Sequence, residues 1–472
     1  MRLLISLLLV ILVAACTPPE DKAKQKSAVA NNKEIIFVTH NGPTTYYVDG
    51  DNQFAGIEYD LATLFVKEYA PDYQIKFLLV NSISDVIPTL LKGKAHIAAA
   101  NLSITHLRQE LVQFSKPYQE TQQELIFNNE IDKKPKGLNS IKDLASIADK
   151  KIAVPADTSY AERLSQIQKE QPTLRWQAIQ KTNSESLLEE VASGILDFTV
   201  ADSHLVALMQ NYYPNLAVGM AIGKAEKIAW AMPKNADPQL VKKVNAFFDR
   251  IQQDGRLRNL MDRYYGDSKR LNTQDITTFL ELTNTLLPKY THLFKQAQEV
   301  TGLDWRLLAA VSYRESHWDT YSTSPTNVRG LMMLTESTAD LMGVTDRLDP
   351  KQSIPAGAKY ILKMKDTIPE RIPEPDRTYM ALAAYNIGYA HLEDARVLAQ
   401  RFKLNPDSWA DVKKTLVMLN NPEYYSTVKY GYASGGAPVV FVESIRSYQR
   451  ILERHQPSHN PDYNSFKVAR AD

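Results

Sequence analysis

Short apolar runs alternate with amphipathic stretches in the first half of the chain. Ile35-Ile36-Phe37-Val38 has the length and β-branching of a strand, and Ile57 to Tyr69 repeats apolar residues at helical spacing through Leu61, Leu64 and Phe65. Ile75 to Val80 reads as the next strand, and the pattern returns at Lys151-Ile152-Ala153-Val154 and through Gly194 to Val200. Such alternation predicts a largely parallel, doubly wound α/β sheet, and its recurrence predicts two lobes over residues 34–268. Polar residues 269–275 read as a linker. Beyond it the strands stop. Phe279–Val300, Asp304–Arg314, Ile354–Lys365, Asp376–Tyr385 and Phe441–Leu452 carry helical periodicity, which predicts a mainly α domain over 276–455 and a tail over 456–472.

Composition narrows the function classes. The chain has 472 residues, 55 Lys+Arg against 54 Asp+Glu and a formal net charge of +1, so no bulk polycation draws it to nucleic acid. A single Cys excludes an internal disulfide framework and any multi-thiolate metal site. The nine His are scattered without metal-ligand spacing, and no phosphate-binding Gly-rich loop or Ser-His-Asp signature appears, so neither cofactor nor metal is expected.

The position of that Cys carries more than its rarity. Leu3 to Ala15 is an apolar run broken by Ser6 alone behind Met1-Arg2, too short for the ~20 residues of a membrane-spanning helix, and reads as an export signal over residues 1–15. Val13-Ala14-Ala15-Cys16 resembles the bacterial lipobox, which implies a lipidated Cys16 at the mature N-terminus and a solvated tether through residue 33. Thr17 stands where an Asp would imply inner-membrane retention, so the resemblance implies an anchor in the outer membrane, facing the periplasm. A soluble periplasmic protein after signal cleavage is the alternative.

The candidate chemistry lies in the stretch Leu303 to Ser316. Asp304 is a plausible N-cap, and from Leu308 the helical offsets place Val311, Ser312 and Glu315 on one stripe. A Glu on the inward face at a helix C-terminus loses solvation and meets the negative end of the dipole, and both raise its pKa toward what a general acid needs. Periodicity alone leaves open a Glu paired with Arg314 or His317.

Two resemblances add to this reading. Gly56-Ile57-Glu58-Tyr59-Asp60-Leu61-Ala62, Leu91-Lys92-Gly93-Lys94-Ala95-His96-Ile97, Ile104-Thr105-His106-Leu107-Arg108 and Phe114-Ser115-Lys116-Pro117-Tyr118 arrive in the order of the family-3 extracellular solute-binding proteins, which they resemble. That resemblance implies a two-lobed clamp for amino acids or small peptides, with Arg108 holding a ligand carboxylate by a bidentate fork. It further implies Ser103, Thr105 and Thr158 as hydroxyl or amide donors and Asp202 as the receptor of an ammonium group. Asp157 departs from the family, standing where Gly usually precedes Thr-Ser, and His96 replaces a common Asp.

In the second half Glu315-Ser316, Ser324 ahead of Gly330-Leu331-Met332-Met333, and Ala384-Tyr385-Asn386-Ile387-Gly388 resemble the family-1 lytic transglycosylases, which have a lysozyme-like α fold. Tyr430-Gly431-Tyr432-Ala433 with Ile445-Arg446-Ser447-Tyr448 narrows the resemblance to modular members that carry a solute-binding module in front. The resemblance implies peptidoglycan glycan strands as substrate, cut at chain ends or internally, with Glu315 catalytic and Ser316, Ser324, Met332, Tyr385 and Asn386 against the substrate. Met333 stands where the family has Gln, which puts one side-chain hydrogen bond to the sugar in doubt. Two alternatives stay open. One is a lysozyme-type hydrolase with Asp319 or Glu336 as a second carboxyl. The other is a catalytically silent, lipid-anchored sensor of muropeptides or amino acids.

Overall fold

The computed structural model describes residues 33–48, 53–131, 141–266, 271–325 and 327–459. The expected signal, Cys16 and most of the tether lie outside the described residues, as does the tail beyond His459.

Two five-stranded sheets form the first half. The first runs Gln74–Val80, Glu34–His40, Ile97–Ala98, Ala231–Pro233, Val112–Phe114, and the second Gln177–Ile179, Ile152–Pro155, Phe198–Asp202, Gln123–Asn128, Leu216–Ala221. Each sheet is parallel on one side only. Ala231–Pro233 pairs antiparallel with both its neighbours, and Gln123–Asn128 does the same in the second sheet. The expected mostly parallel sheets are therefore mixed, because these strands enter each lobe from the other one. The crossings are Gln119–Thr121 and Glu226–Ile228, which pair antiparallel to form a hinge. The expected Gly194–Val200 strand begins later, at Phe198, after a turn in which Gly194 takes φ 77°.

The first lobe closes on an aromatic core. Trp230 meets Phe37, Phe65, Phe247 and Phe248 with ring centroids 4.9–6.1 Å apart. Beneath the Ile57–Tyr69 helix the Glu58 carboxylate is fully buried and accepts from Tyr118 Oη at 2.6 Å, Trp230 Nε1 at 2.7 Å and the Asn101 amide at 2.7 Å. Three donors offset the desolvation of one charge and tie helix, crossing strand and cleft loop together.

The second half is helical. The single helix expected over Phe279–Val300 is broken into Thr273–Thr285, a 3₁₀ turn at Leu287–Lys289 and Thr291–Thr301. Pro288 lacks the amide that would continue the ladder, so the chain tightens and restarts. The first of these helices opens with an Asn272/Asp275 capping box, so the expected linker 269–275 already ends in helix. Trp305–Ser316 runs through the middle, with Asp304 accepting from the Arg306 amide at 2.7 Å as its N-cap. It packs against Thr291–Thr301, Pro350–Thr367 and the C-terminal helix Gly436–His455.

The halves are joined through Arg256–Tyr265, the last helix of the clamp. Its final carbonyls need partners. Arg446 Nη2 donates to Asp262 O and Arg263 O, both at 2.9 Å, and Arg450 Nη1 donates to Tyr264 O at 3.1 Å. Both arginines belong to Gly436–His455, whose other side carries Tyr448 against Tyr313 of the Glu315 helix, centroids 4.8 Å apart.

Candidate active site and ligand cleft

Glu315 sits in the last turn of its helix, half-buried, with no hydrogen-bond partner among the described residues. Burial raises its carboxyl to about 8, while Arg314 beside it pulls the other way. No neighbouring carboxylate contributes to that rise among the described residues. Asp319 is exposed and occupied with the Tyr321 amide at 2.9 Å, and Glu336 is exposed in the first turn of Glu336–Met342.

The Gly330–Met333 turn is fastened to the Glu315 helix from below. Ser312 Oγ and Ser316 Oγ both donate to Leu331 O, at 3.0 and 2.9 Å. Ser316, expected against substrate, is buried with its hydroxyl spent on this carbonyl and on Ser312 O at 3.0 Å, so it fixes the turn to the helix instead. Gly330 takes φ 80° and a Cβ there would meet Arg347 O at 1.8 Å, which explains the glycine. Met332, also expected at the sugar, is fully buried: its side chain fills the space over Gly357, where a Cβ would come within 2.7 Å. The half-exposed member of the pair is Met333, held at φ 44°, a strained value for a side-chain-bearing residue.

Tyr385 Oη donates to Met332 O at 2.7 Å, and its ring lies between Tyr360 and Phe441 at 5.5 and 6.3 Å. Burial and the nearby Glu315 charge push its hydroxyl well above the usual tyrosine value. Asn386 follows at the exposed end of Asp376–Ile387, without a hydrogen-bond partner among the described residues. Ser324 closes its own loop, accepting from the Val328 amide at 3.1 Å. Glu315, Tyr385 and the Gly330–Met333 turn are thus brought together, while Ser316 and Met332 support them from the interior.

The expected ligand residues of the first half gather where the two lobes meet. Thr105 and Thr158 are both N-caps, accepting from the Arg108 amide at 3.3 Å and the Ala161 amide at 3.4 Å. Arg108 is buried, and its guanidinium donates to Ser103 O at 3.1 Å and, across the cleft, to Asp157 O at 3.3 Å. Asp157 adopts φ 58°, the left-handed conformation that explains the usual Gly there and that is favoured by few residues besides Asn and Asp. Asp202 is buried and pushed up to about 7 by desolvation, which the Tyr160 hydroxyl counters and Glu226 reinforces. Sequence reasoning did not find Glu226, Asn101, Tyr160 or His204 in this cluster. Their contacts are across strands and lobes, so no local spacing announces them. His96, the other departure, accepts from the Ile36 amide at 2.9 Å and serves the first sheet.

The chain matches the bacterial extracellular solute-binding proteins, family 3, over residues 35–267 and the transglycosylase SLT domain over residues 292–406. Among solved structures, an ancestral amino acid-binding protein described as a precursor of cyclohexadienyl dehydratase aligns at 25% identity over 49% of this chain and 96% of its own, TM-score 0.43. A mutant of ArgBP from T. maritima aligns at 20% identity over 49% and 95%, TM-score 0.43. Among curated relatives named membrane-bound lytic murein transglycosylase F, that of Nitrosospira multiformis is 44% identical over 90% of this chain and 87% of its own. The Methylobacillus flagellatus relative is 60% identical over 93% of this chain and 91% of its own. At that identity and coverage, the chain belongs to the membrane-bound lytic murein transglycosylase F family.

Proposed function

We propose that the protein cleaves the β-1,4 bond between N-acetylmuramic acid and N-acetylglucosamine in peptidoglycan without water, as a carbon–oxygen lyase with Glu315 as its acid and base. The observation that carries this reading is a half-buried carboxyl raised to about 8 with no carboxylate beside it among the described residues. Ordinary glycosidases use two carboxyl groups flanking the bond. With one, the protonated Glu315 gives its proton to the leaving oxygen as the C1–O4 bond breaks. The resulting carboxylate then takes the proton of the muramic acid C6 hydroxyl as that oxygen bonds to C1, giving a 1,6-anhydro end and restoring the acid. The nucleophile belongs to the substrate and acts at the high effective concentration of an intramolecular group.

Asn386 and Ser324 orient the N-acetyl group of the substrate, and Tyr385 holds the Gly330–Met333 turn at the distance the sugar requires. The anchor is a lipid on Cys16 in the outer membrane; among the described residues no helix is long and apolar enough to cross a membrane. Ligand binding between the lobes regulates the enzyme through the joint at Arg446 and Arg450. Incubating the purified protein with peptidoglycan and weighing the products tests the reaction. Products one water lighter than hydrolysis products support it, and hydrolysis products overturn it in favour of a lysozyme-type enzyme.

A further inference from the structure

We infer that the loop 429–432 is a sugar-binding platform, on which Tyr430 and Tyr432 stack against pyranose rings of the glycan strand beyond those at the cleaved bond. This rests on the reading of Glu315 as the cleavage site and names where a longer strand is held.

Tyr430 is 49% exposed and Tyr432 63%, and both belong to the stretch Tyr430-Gly431-Tyr432-Ala433, which the cleavage chemistry leaves unused. Single exposed tyrosines need no explanation, but this pair stands on a built support. Asp394, 3% exposed on the helix Tyr389–Arg401, accepts from three consecutive amides: Lys429 at 3.1 Å, Tyr430 at 2.8 Å and Gly431 at 3.1 Å. One buried carboxylate thus fixes the main chain that carries both rings, with Gly431 at φ 79° between them. The Tyr432 ring meets Tyr425 edge to face at 5.7 Å, and Lys429 Nζ lies over the Tyr430 ring at 5.0 Å. The rings are therefore placed before a ligand arrives, which lowers the ordering cost of binding.

The platform is continuous with the cleavage site. Tyr389 lies three residues beyond Asn386, and its hydroxyl donates to Glu393, which Arg396 holds at 2.6 Å. Burial lifts the Tyr389 hydroxyl above the usual tyrosine value, and Glu393 and the neighbouring Tyr430 add to the rise. On its other side the loop runs into Gly436–His455, whose Phe441 stacks on Tyr385 at 6.3 Å. Both elements that flank the loop lead back to Glu315. The rings also select their occupant. A β-1,4-linked sugar turns C–H groups toward the negative face of an aromatic ring and keeps its hydroxyls at the edge, where water, Tyr hydroxyls and Lys429 meet them.

Calorimetry on the purified full-length protein tests this with chitohexaose and chitobiose, a long and a short β-1,4-linked N-acetylglucosamine oligomer. Wild type should bind chitohexaose the more tightly. Tyr430→Ala and Tyr432→Ala should each reduce that length advantage roughly two- to tenfold, and Tyr430→Phe and Tyr432→Phe should retain it. Melting curves confirm that the variants fold. On peptidoglycan strands stripped of stem peptides, the alanine variants should raise KM and leave kcat in place, because a contact remote from the bond holds ground and transition states alike. No length advantage in wild type, or an unchanged one in both alanine variants, overturns the inference. Phenylalanine variants as weak as the alanine ones overturn stacking, and a KM effect confined to strands that keep their stem peptides gives the loop to the peptide instead. Product masses judge the reaction separately: hydrolytic products would leave the platform standing, and normal binding by the alanine variants would leave the lyase reading standing.

Discussion

The Tyr385 hydroxyl donates to the Met332 carbonyl at 2.7 Å, which ties the helix behind the active site to the turn in front of it. The same turn is held to the Glu315 helix by Ser312 and Ser316 through Leu331 O. Two neighbouring carbonyls of one turn therefore fix the relative position of two helices. Tyr385 is thereby a positioning residue, and its ring is clamped by Tyr360 and Phe441 so that the hydroxyl has little freedom to leave.

Tyr385→Phe keeps the ring and removes that bond. Leaving the buried Met332 carbonyl unsatisfied should cost about 1–3 kcal/mol of stability in urea melts. Turnover should fall by about tenfold or more, because the turn is then free to drift from Glu315. A variant as stable as wild type that still loses turnover would instead put the hydroxyl on the substrate.

Glu315→Gln should lower turnover by ~10²–10⁴-fold while the fold persists, since volume is kept and the proton donor is lost. The wild-type rate should also decline as pH rises through about 8, where the acid form disappears. Stability carries the same signature. The folded carboxyl sits near 8 against the 4.5 of an ordinary glutamate, so between those pH values the folded state holds more protons and stability falls as pH rises. The variant lacks this loss, and its advantage over wild type should grow to on the order of 2–4 kcal/mol by pH 9. A constant difference between pH 5 and 9 would show that Glu315 is not desolvated.

Periodicity exposed the Glu315 helix because its start is marked by a cap and its inward stripe by apolar residues. Side-chain roles next to it were less legible. Ser316 and Met332 lie in the motifs that line such a site, yet which atom faces the sugar depends on how the turn folds back onto the helix. Arg108 shows the same limit at longer range. Its motif predicts a carboxylate receptor, whereas its partner Asp157 O comes from the other lobe and becomes visible only when the clamp is closed. The antiparallel strands were missed for a related reason, since direction is set by crossings between lobes and not by the strand sequence.

Cys16→Ala tests the anchor, on a residue outside the described region. A mature chain without acyl groups has only the tether at its N-terminus, and the remaining helices give no membrane span among the described residues. The variant should appear in the soluble periplasmic fraction or remain uncleaved at the inner membrane. Continued fractionation with the outer membrane would mean that something other than lipid holds the protein there.

Arg446→Met tests the joint between the halves. Arg446 is buried, pairs with Glu443 at 2.7 Å, lies over the Tyr379 ring at 4.8 Å and closes the last carbonyls of Arg256–Tyr265. Glu443 is buried as well and keeps Trp409 Nε1 at 2.7 Å and Lys413 Nζ at 3.3 Å. Removing one partner of a buried pair strands part of the other's charge, since Lys413 compensates Glu443 only partly, at a cost of up to about 3–5 kcal/mol. Because the Asp262 and Arg263 carbonyls that lose their donor lie across the joint between the halves, unfolding should separate into two transitions, the clamp melting apart from the helical domain. Arg454→Ala offers the control. Arg454 pairs with Glu189 at the rim, about a third exposed, where an ion pair is worth ~0–1 kcal/mol, and unfolding should stay a single transition. Adding Glu443→Leu to Arg446→Met removes the stranded charge and should recover part of the lost stability without rejoining the two transitions, since the carbonyls of Asp262 and Arg263 still lack their donor. Recovery of a single transition would assign the coupling to the charge pair, and two transitions in all variants including wild type would mean that the halves are energetically independent.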